Sequence, residues 1–289
     1  MSFTTDDALA EKPGQLSPGW KDETALSQNR TWTAVKPDAS CSAGFELPSV
    51  SVVIPTLNEA KNLPLLLPRI PKWIDEVIIV DGRSTDETVD VARALYPGVR
   101  IVLEKRRGKG AALAAGFGAA TGDIIVTIDA DGSMDPNEIL RFVAALMSGC
   151  DFAKGTRFVQ GGGTADMSLF RMLGNWSLMH VGRVLCGGEF SDLCYGYNAF
   201  WRRNLPDLDY NCDGFEIETS LCLSALRSGL KICEVPSFEA PRNFGQSNLK
   251  AIPDGIRVMR MIVMQSLGLR DRKRGHAGGG GSVAELPGE

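Results

Sequence analysis

Ile124-Ile125-Val126-Thr127-Ile128-Asp129-Ala130-Asp131-Gly132 is the stretch on which the fold turns. A continuous β-branched run that stops at two carboxylates and a glycine reads as a strand buried on both faces, opening into a polar loop. Three earlier runs have the same character: Val50–Ile54, Val77–Val80 and Val99–Leu103. Helical stretches separate them. One begins near Asn58-Glu59 and carries Leu63, Leu66 and Leu67. A second follows Ser84 to Asp86, where Ser84 or Thr85 can cap it, and a third, Ala-rich, covers Ala111 to Ala120. Strand and helix in alternation predict an α/β class: a mostly parallel sheet flanked by helices, in a single catalytic domain over 48–250. Ligands of such sheets lie outside the carboxyl ends of the strands, which selects Pro55 to Glu59, Asp81 to Asp86 and Asp129 to Asp131.

Asp129 and Asp131 are one residue apart, so on an extended chain both project to the same side and can reach one hard cation, Mg²⁺ or Mn²⁺. Such an ion can bridge a diphosphate and stabilise the charge on it as it departs. The alternative is an Asp-Gly turn whose side chains only cap backbone. After the second strand, Asp81 can accept hydrogen bonds from a ribose or a base; a plain strand-to-helix turn explains Ser84 and Thr85 equally well, but Asp81 less well. Lys105-Arg106-Arg107-Gly108-Lys109-Gly110 is compact, basic and glycine-rich, a pattern that lets backbone approach phosphate. It has the spacing of neither a P-loop nor a dinucleotide turn.

The 289 residues carry a formal charge of −4, which argues against a chain that wraps nucleic acid. Cys41, Cys150, Cys186, Cys194, Cys212, Cys222 and Cys233 contain no CxxC pair and are odd in number, so reduced thiols in a cytoplasmic protein are expected. His180 and His276 are too few for a histidine metal site. Neither a secretory signal nor a membrane-spanning window is expected. Residues 1–47 are polar and aperiodic, and 274–289 are Gly-rich; both are expected to be flexible.

Pro55-Thr56-Leu57-Asn58-Glu59, Asp81-Gly82-Arg83-Ser84-Thr85-Asp86, Gly108-Lys109-Gly110 and Asp129-Ala130-Asp131-Gly132 stand in the order and spacing of the family 2 glycosyltransferases with their Rossmann-like GT-A fold, and the chain resembles that family. Gly155-Thr156-Arg157, Asp192 to Tyr197, Gly214 to Glu218, Glu234-Val235-Pro236 and Arg242 to Ser247 are similar to its polyprenyl-phosphate (dolichol-phosphate) sugar synthase branch. The resemblance covers roughly 48–265. It implies an inverting, metal-dependent transfer of a hexose from a GDP- or UDP-sugar to a polyprenyl phosphate. By position it assigns Pro55, Asn58, Glu59, Asp81, Lys109, Asp129 and Ala130 to the nucleotide sugar, Asp129 and Asp131 to the metal, and Arg157, Arg171, Asn175 and Arg242 to the acceptor phosphate. Ser133 stands where many relatives have a Gln in the metal shell, and Tyr195 and Asn198 depart from the pattern of their loop.

A phosphate acceptor is already anionic and needs positioning rather than a base. An acceptor hydroxyl needs a general base, for which Asp192 is nominated. That soluble saccharide or natural-product acceptor is the nearest rival reading. A nucleotidyltransferase lacks support because its Gly-rich loop after the first strand is missing, and a non-catalytic module would be expected to lose the metal carboxylates. Ile252, Ile256, Met259, Val263 and Leu267 form an apolar stripe over 251–273, with Arg257 and Arg260 inside it and Arg270, Arg272, Lys273 and Arg274 following. This helix either packs on the core or lies peripherally at the cytoplasmic face of a membrane.

Overall fold

β1 (Val50–Thr56) runs between β2 (Glu76–Asp81) and β4 (Ile124–Thr127), parallel to both, and β3 (Arg100–Leu103) adds beyond β2. Across β4, the order continues with β7 (Asn198–Trp201), β5 (Phe152–Thr156) and β8 (Ile232–Pro236), giving seven strands in the order 3-2-1-4-7-5-8. Only β7 is antiparallel to its neighbours. The architecture of this computed structural model, a mostly parallel sheet flanked by helices, is the GT-A fold. The structure describes Leu47–Leu269; the expected tail over 274–289, all but the last residue of the expected extension over 1–47, and Cys41, His276 and the Arg270–Arg274 basic run lie outside the described residues.

Both faces of the sheet are covered, and the alternation along each strand shows it. Val52 and Ile54 of β1, with Val77 and Ile79 of β2, face Leu63, Leu66, Ile139 and Phe142; Val53, Ile78 and Val80 face Leu113, Phe117 and Leu221. The first layer includes α1 (Leu63–Leu66), α2 (Thr88–Leu95) and α4 (Ile139–Met147); the second includes α3 (Lys109–Ala119) and α6 (Ile217–Arg227). α1 is shorter than expected from Asn58-Glu59: Pro64 starts it and Pro68 diverts the chain into a 3₁₀ turn over Leu67–Arg69. Gly116 lets α3 lie directly on the sheet, where a Cβ would collide with the Val53 side chain.

Two long helices complete the described chain. α5 (Leu169–Cys186) and α7 (Ala251–Ser266) pack together, and α7 also touches α6. A small sheet of β6 (Gly163–Thr164) and β9 (Phe238–Glu239) sits between these helices and the main sheet in sequence order. On α7 the buried face is Asp254, Val258, Met261, Ile262 and Gln265, while Ile252, Ile256, Val263 and Leu267 are exposed. The helix therefore packs on the core with one face and presents most of the apolar stripe read from the sequence on the other. Among the described residues no helix is long and apolar enough to cross a membrane.

The expectation of uniformly reduced thiols is corrected. Cys150, between α4 and β5, and Cys233 on β8 are joined as a disulfide, with Cα atoms 6.0 Å apart. They are 83 residues apart in sequence, so no short spacing pattern signals the pair. Cys186, Cys194 and Cys222 are free thiols.

Candidate active site

The strand ends converge on a cavity of about 590 Å³. Its floor comprises Pro55, Glu59, Gly82, Lys109 and the Asp129–Asp131 loop; Arg157, Glu239 and Arg242 line one side, and α5 and α7 contribute Phe170, Arg171, Asn175, Ile252 and Ile256. Residues from eight separate stretches of sequence are thus brought to one place, as expected for the carboxyl ends of a parallel sheet.

The first two loops are stitched to each other. Asn58 takes a left-handed backbone (φ 59°), its amide donates to Ser84 Oγ at 2.8 Å, and its side-chain oxygen accepts from the Thr85 amide at 2.7 Å. Ser84 and Thr85 therefore bind the first loop instead of capping α2, whose first-turn Thr88 amide donates to Asp86 at 3.1 Å. Asp81 accepts from the amides of Arg83 and Ser84 at 3.0 and 3.1 Å, a role in the turn that the sequence reading left to other residues. Asn58 itself does not line the cavity; its neighbours Leu57 and Glu59 do.

The basic glycine-rich stretch has a reason other than phosphate approach. Gly108 (φ +114°) and Gly110 lie hard against the backbone of Cys212, Asp213 and Gly214, where a Cβ on either would overlap a carbonyl. The Gly110 and Ala111 amides, the start of α3, both donate to the Asp213 carbonyl, at 2.9 and 3.3 Å. Those amides are thereby committed to protein. What the stretch delivers is Lys109, whose ammonium sits 2.5 Å from Asp129 and 2.7 Å from Glu218. Burial works against its charge, but the two carboxylates outweigh that and hold its pKa well above the usual lysine value. Glu218, fully buried on α6, is pushed upward by that burial despite Lys109.

Asp131 is the mirror case. Ser133 donates to it from both amide (3.0 Å) and hydroxyl (2.7 Å), so the residue standing in place of a metal-shell Gln orients the carboxylate instead. Arg242 bridges Asp131 and Glu59, both at 3.0 Å. Burial raises the Glu59 pKa, opposed by Asn62 and Arg242. Asn62 also accepts from the Phe244 amide at 3.0 Å, fastening the Arg242–Gly245 loop across the first one.

The residues fit a divalent cation. Asp129 and Asp131 reach the cavity as hard oxygen donors, and a cationic side chain already compensates each. Among the described residues no group of three His, Cys, Asp or Glu gathers as a ligand cage. Two carboxylates completed by water and diphosphate oxygens suit Mg²⁺ or Mn²⁺.

On the other side, Arg157 donates to both oxygens of Asp192, at 2.7 and 3.0 Å, and to Glu239 at 3.0 Å. Its guanidinium also lies 4.7 Å from the ring of Tyr195. Asp192, nominated as a base, is in this structure the ion-pair partner of Arg157. The carboxylate is fully buried, accepts from the Cys194 amide as well, and is absent from the cavity wall. Burial opposes the charge on Arg157, yet Asp192 and Glu239 hold its pKa above the usual arginine value. Asn198 is likewise internal, whereas Tyr195, also buried, borders the cavity: its hydroxyl bonds Ser237 at 3.0 Å, and its carbonyl accepts from the buried Lys154 at 2.6 Å. Arg171 reaches Asp166 only at 3.9 Å and keeps 29% of its side chain exposed, while Asn175 Oδ1 is buried without a hydrogen-bond partner among the described residues. These two are the polar groups of the expected acceptor set not held by a close ion pair, whereas Arg157 and Arg242 are each held by two carboxylates.

The glycosyl transferase family 2 profile matches residues 51–208. The chain belongs to that family. It is a glycosyltransferase, 33% identical to a dolichol-phosphate mannosyltransferase of Pyrococcus furiosus over 70% of this chain and 59% of that protein. It is also 32% identical to a polyprenol monophosphomannose synthase of Mycolicibacterium smegmatis, over 78% of this chain and 89% of that one. The chain thus spans less than two thirds of the Pyrococcus protein but most of the mycobacterial one. Among solved structures, glucosyl-3-phosphoglycerate synthase of Mycobacterium tuberculosis, in complex with Mn²⁺, uridine diphosphate and glucosyl-3-phosphoglycerate, superposes with a TM-score of 0.60 at 26% identity, covering 78% of this chain and 81% of that chain.

Sequence reasoning missed Glu218 and Glu239 as parts of the site. Glu218 had a signal, since it is the lone acid in the buried run Ile217–Ala225, where an unpaired carboxylate would be costly. Glu239 had none, because its partners Arg157 and Thr164 are about 80 residues away.

Proposed function

We propose that this glycosyltransferase moves a hexose, with inversion, from a GDP- or UDP-sugar to a polyprenyl phosphate. The observation that carries the reading is the composition of the cavity. Its lining combines metal-competent carboxylates, cationic and amide groups (Arg171, Asn175, Arg242) and the apolar Phe170, Leu178, Ile252, Ile256 and Met259. A phosphate on a hydrocarbon chain matches that combination. The 32–33% identity to two polyprenyl-phosphate mannose synthases supports it.

In this account Pro55, Glu59, Gly82 and Ala130 border the nucleotide, Asp81 shapes the turn that carries Gly82, and Asp129 and Asp131 hold the divalent cation. When bound, that ion neutralises the departing diphosphate. Arg171 and Asn175 orient the acceptor phosphate, whose anionic oxygen attacks the anomeric carbon in line, with no proton to remove. Arg157 lines the acceptor end with its charge already paired by Asp192 and Glu239, and it holds that wall in place. The exposed apolar stripes of α5 and α7 then lie at the cytoplasmic surface of a membrane, from which the lipid enters.

A second reading, transfer to a soluble phosphorylated acceptor, is favoured by one observation. The structural neighbour named above was solved with a small phosphorylated product. The test is label transfer from GDP- and UDP-sugars, with Mg²⁺ or Mn²⁺, into organic-extractable polyprenyl phosphate, comparing wild type with Asp131→Ala. Label in the lipid fraction that vanishes in the variant is expected. Metal-dependent donor hydrolysis without lipid product would favour the soluble acceptor.

A further inference from the structure

Each metal-facing carboxylate has a cation on it, and each cation has a second carboxylate behind it. Lys109 is shared by Asp129 and Glu218, and Arg242 by Asp131 and Glu59. The Lys109 cluster is markedly asymmetric. The Asp129 side chain is 28% exposed and opens to the cavity, whereas that of Glu218 is 2% exposed and its Oε2 has no hydrogen-bond partner among the described residues. Gly196 lines the same space: a Cβ there would stand 2.7 Å from the Lys109 ammonium and 3.3 Å from Asp129.

We infer that Glu218 is a positioning residue that draws Lys109 off Asp129 when a divalent cation binds. The inference rests on the reading that Asp129 holds the metal. A divalent cation and an ammonium repel each other across one carboxylate, so Lys109 must release Asp129 for the ion to take it. Moving a buried ammonium away from its partner is costly unless another acceptor is at hand. Glu218 supplies one already in contact, with lone pairs unused on Oε2, and the ammonium has three donors on a flexible stem with which to turn onto it. The absent Gly196 side chain leaves room for that turn. Asp129 is thus kept neutralised while the site is empty and handed over when the ion arrives.

The test is titration of Mn²⁺ by electron paramagnetic resonance, with UDP and in parallel GDP present, on wild type, E218Q, K109M and the double variant, each checked for folding by thermal melting. In E218Q, Asp129 is the only carboxylate left to Lys109, and the Mn²⁺ dissociation constant is expected to rise about 10- to 100-fold. Removing Lys109 as well should return it most of the way to the wild-type value. E218Q that binds Mn²⁺ like wild type, or a double variant no better than E218Q, overturns the hand-over. Should E218Q not fold alone, K109M against K109M/E218Q decides: equal Mn²⁺ affinity supports the inference, since Glu218 then has nothing to hold, and weaker binding in the double variant contradicts it. Wild type that binds Mn²⁺ with neither nucleotide overturns the metal reading itself, and the hand-over with it.

Discussion

The two halves of the cavity, the one proposed for the donor and the one proposed for the acceptor, are built on opposite principles. Around β1, β2 and β4, polar groups bond one another: Asn58 to Ser84 and Thr85, Asp81 to its own turn, Ser133 to Asp131. Around α5 and α7, apolar groups face outward. Phe170 on α5 and Ile252 and Ile256 on α7 line the cavity and are all more than half exposed, and outside it Leu169, Leu173, Trp176 and Val184 form an exposed stripe on α5 at helical spacing. A polar, preorganised half suits a charged ligand that must be held in one geometry. An apolar, open half suits a ligand recognised by burial. The Arg157–Asp192 pair lies at their junction.

Breaking that junction should have the largest effect. Asp192→Ala leaves Arg157 buried with its main partner gone and is expected to cost about 3–5 kcal/mol of stability, read as a lowered melting transition. A variant that kept its stability while losing turnover would restore Asp192 as a base. On the donor side, Asp131→Asn removes a cation-binding charge and should lower kcat about 10²–10³-fold with little change in melting temperature. At the acceptor side, Arg171→Ala is expected to lower kcat/KM for the phosphate acceptor roughly 30-fold, about 2 kcal/mol, leaving the donor KM unchanged. Phe170→Ser with Ile256→Ser tests the apolar wall: both side chains are 65% exposed, so stability should move by under about 0.5 kcal/mol each, while the rate with a lipid acceptor falls.

The smallest effect concerns Lys154, buried behind both halves. Burial lowers its pKa below 10.5, so the unfolded chain binds that proton more tightly than the folded one. Stability therefore rises with pH between the folded value and 10.5. The stability of Lys154→Met relative to wild type should accordingly decline across that window. A difference that did not vary with pH would mean that Lys154 keeps its charge in the folded protein.

The same contrast explains what could be read from the sequence. β1, β2 and β4 announce themselves because strands buried on both faces must be continuously apolar, and Asp129 and Asp131 because two carboxylates ending such a run have few structural uses. The partners of those residues were not legible. Lys109 to Glu218 spans α3 to α6, Arg242 to Glu59 spans nearly the whole domain, and Cys150 to Cys233 joins the segment before β5 to β8; spacing carries no trace of such contacts. The pairing of Asp192 with Arg157 was not legible either, because a carboxylate that neutralises a buried arginine and one that takes a proton look alike until burial is known. The apolar stripe of α7 shows in the sequence, but periodicity could not say which face packs, because Val258, Met261 and Ile262 form a second apolar face.

The central claim is that the acceptor half recognises hydrocarbon as well as phosphate. Initial rates of wild type with a long-chain polyprenyl phosphate, a short isoprenyl phosphate and a water-soluble phosphate monoester, at one donor and one metal concentration, test it most directly. The account predicts that kcat/KM falls with each loss of chain, by at least about 100-fold from the long chain to none, because each buried CH₂ contributes about 0.8 kcal/mol. Equal or faster transfer to the chainless phosphate would contradict it and assign the enzyme a soluble acceptor.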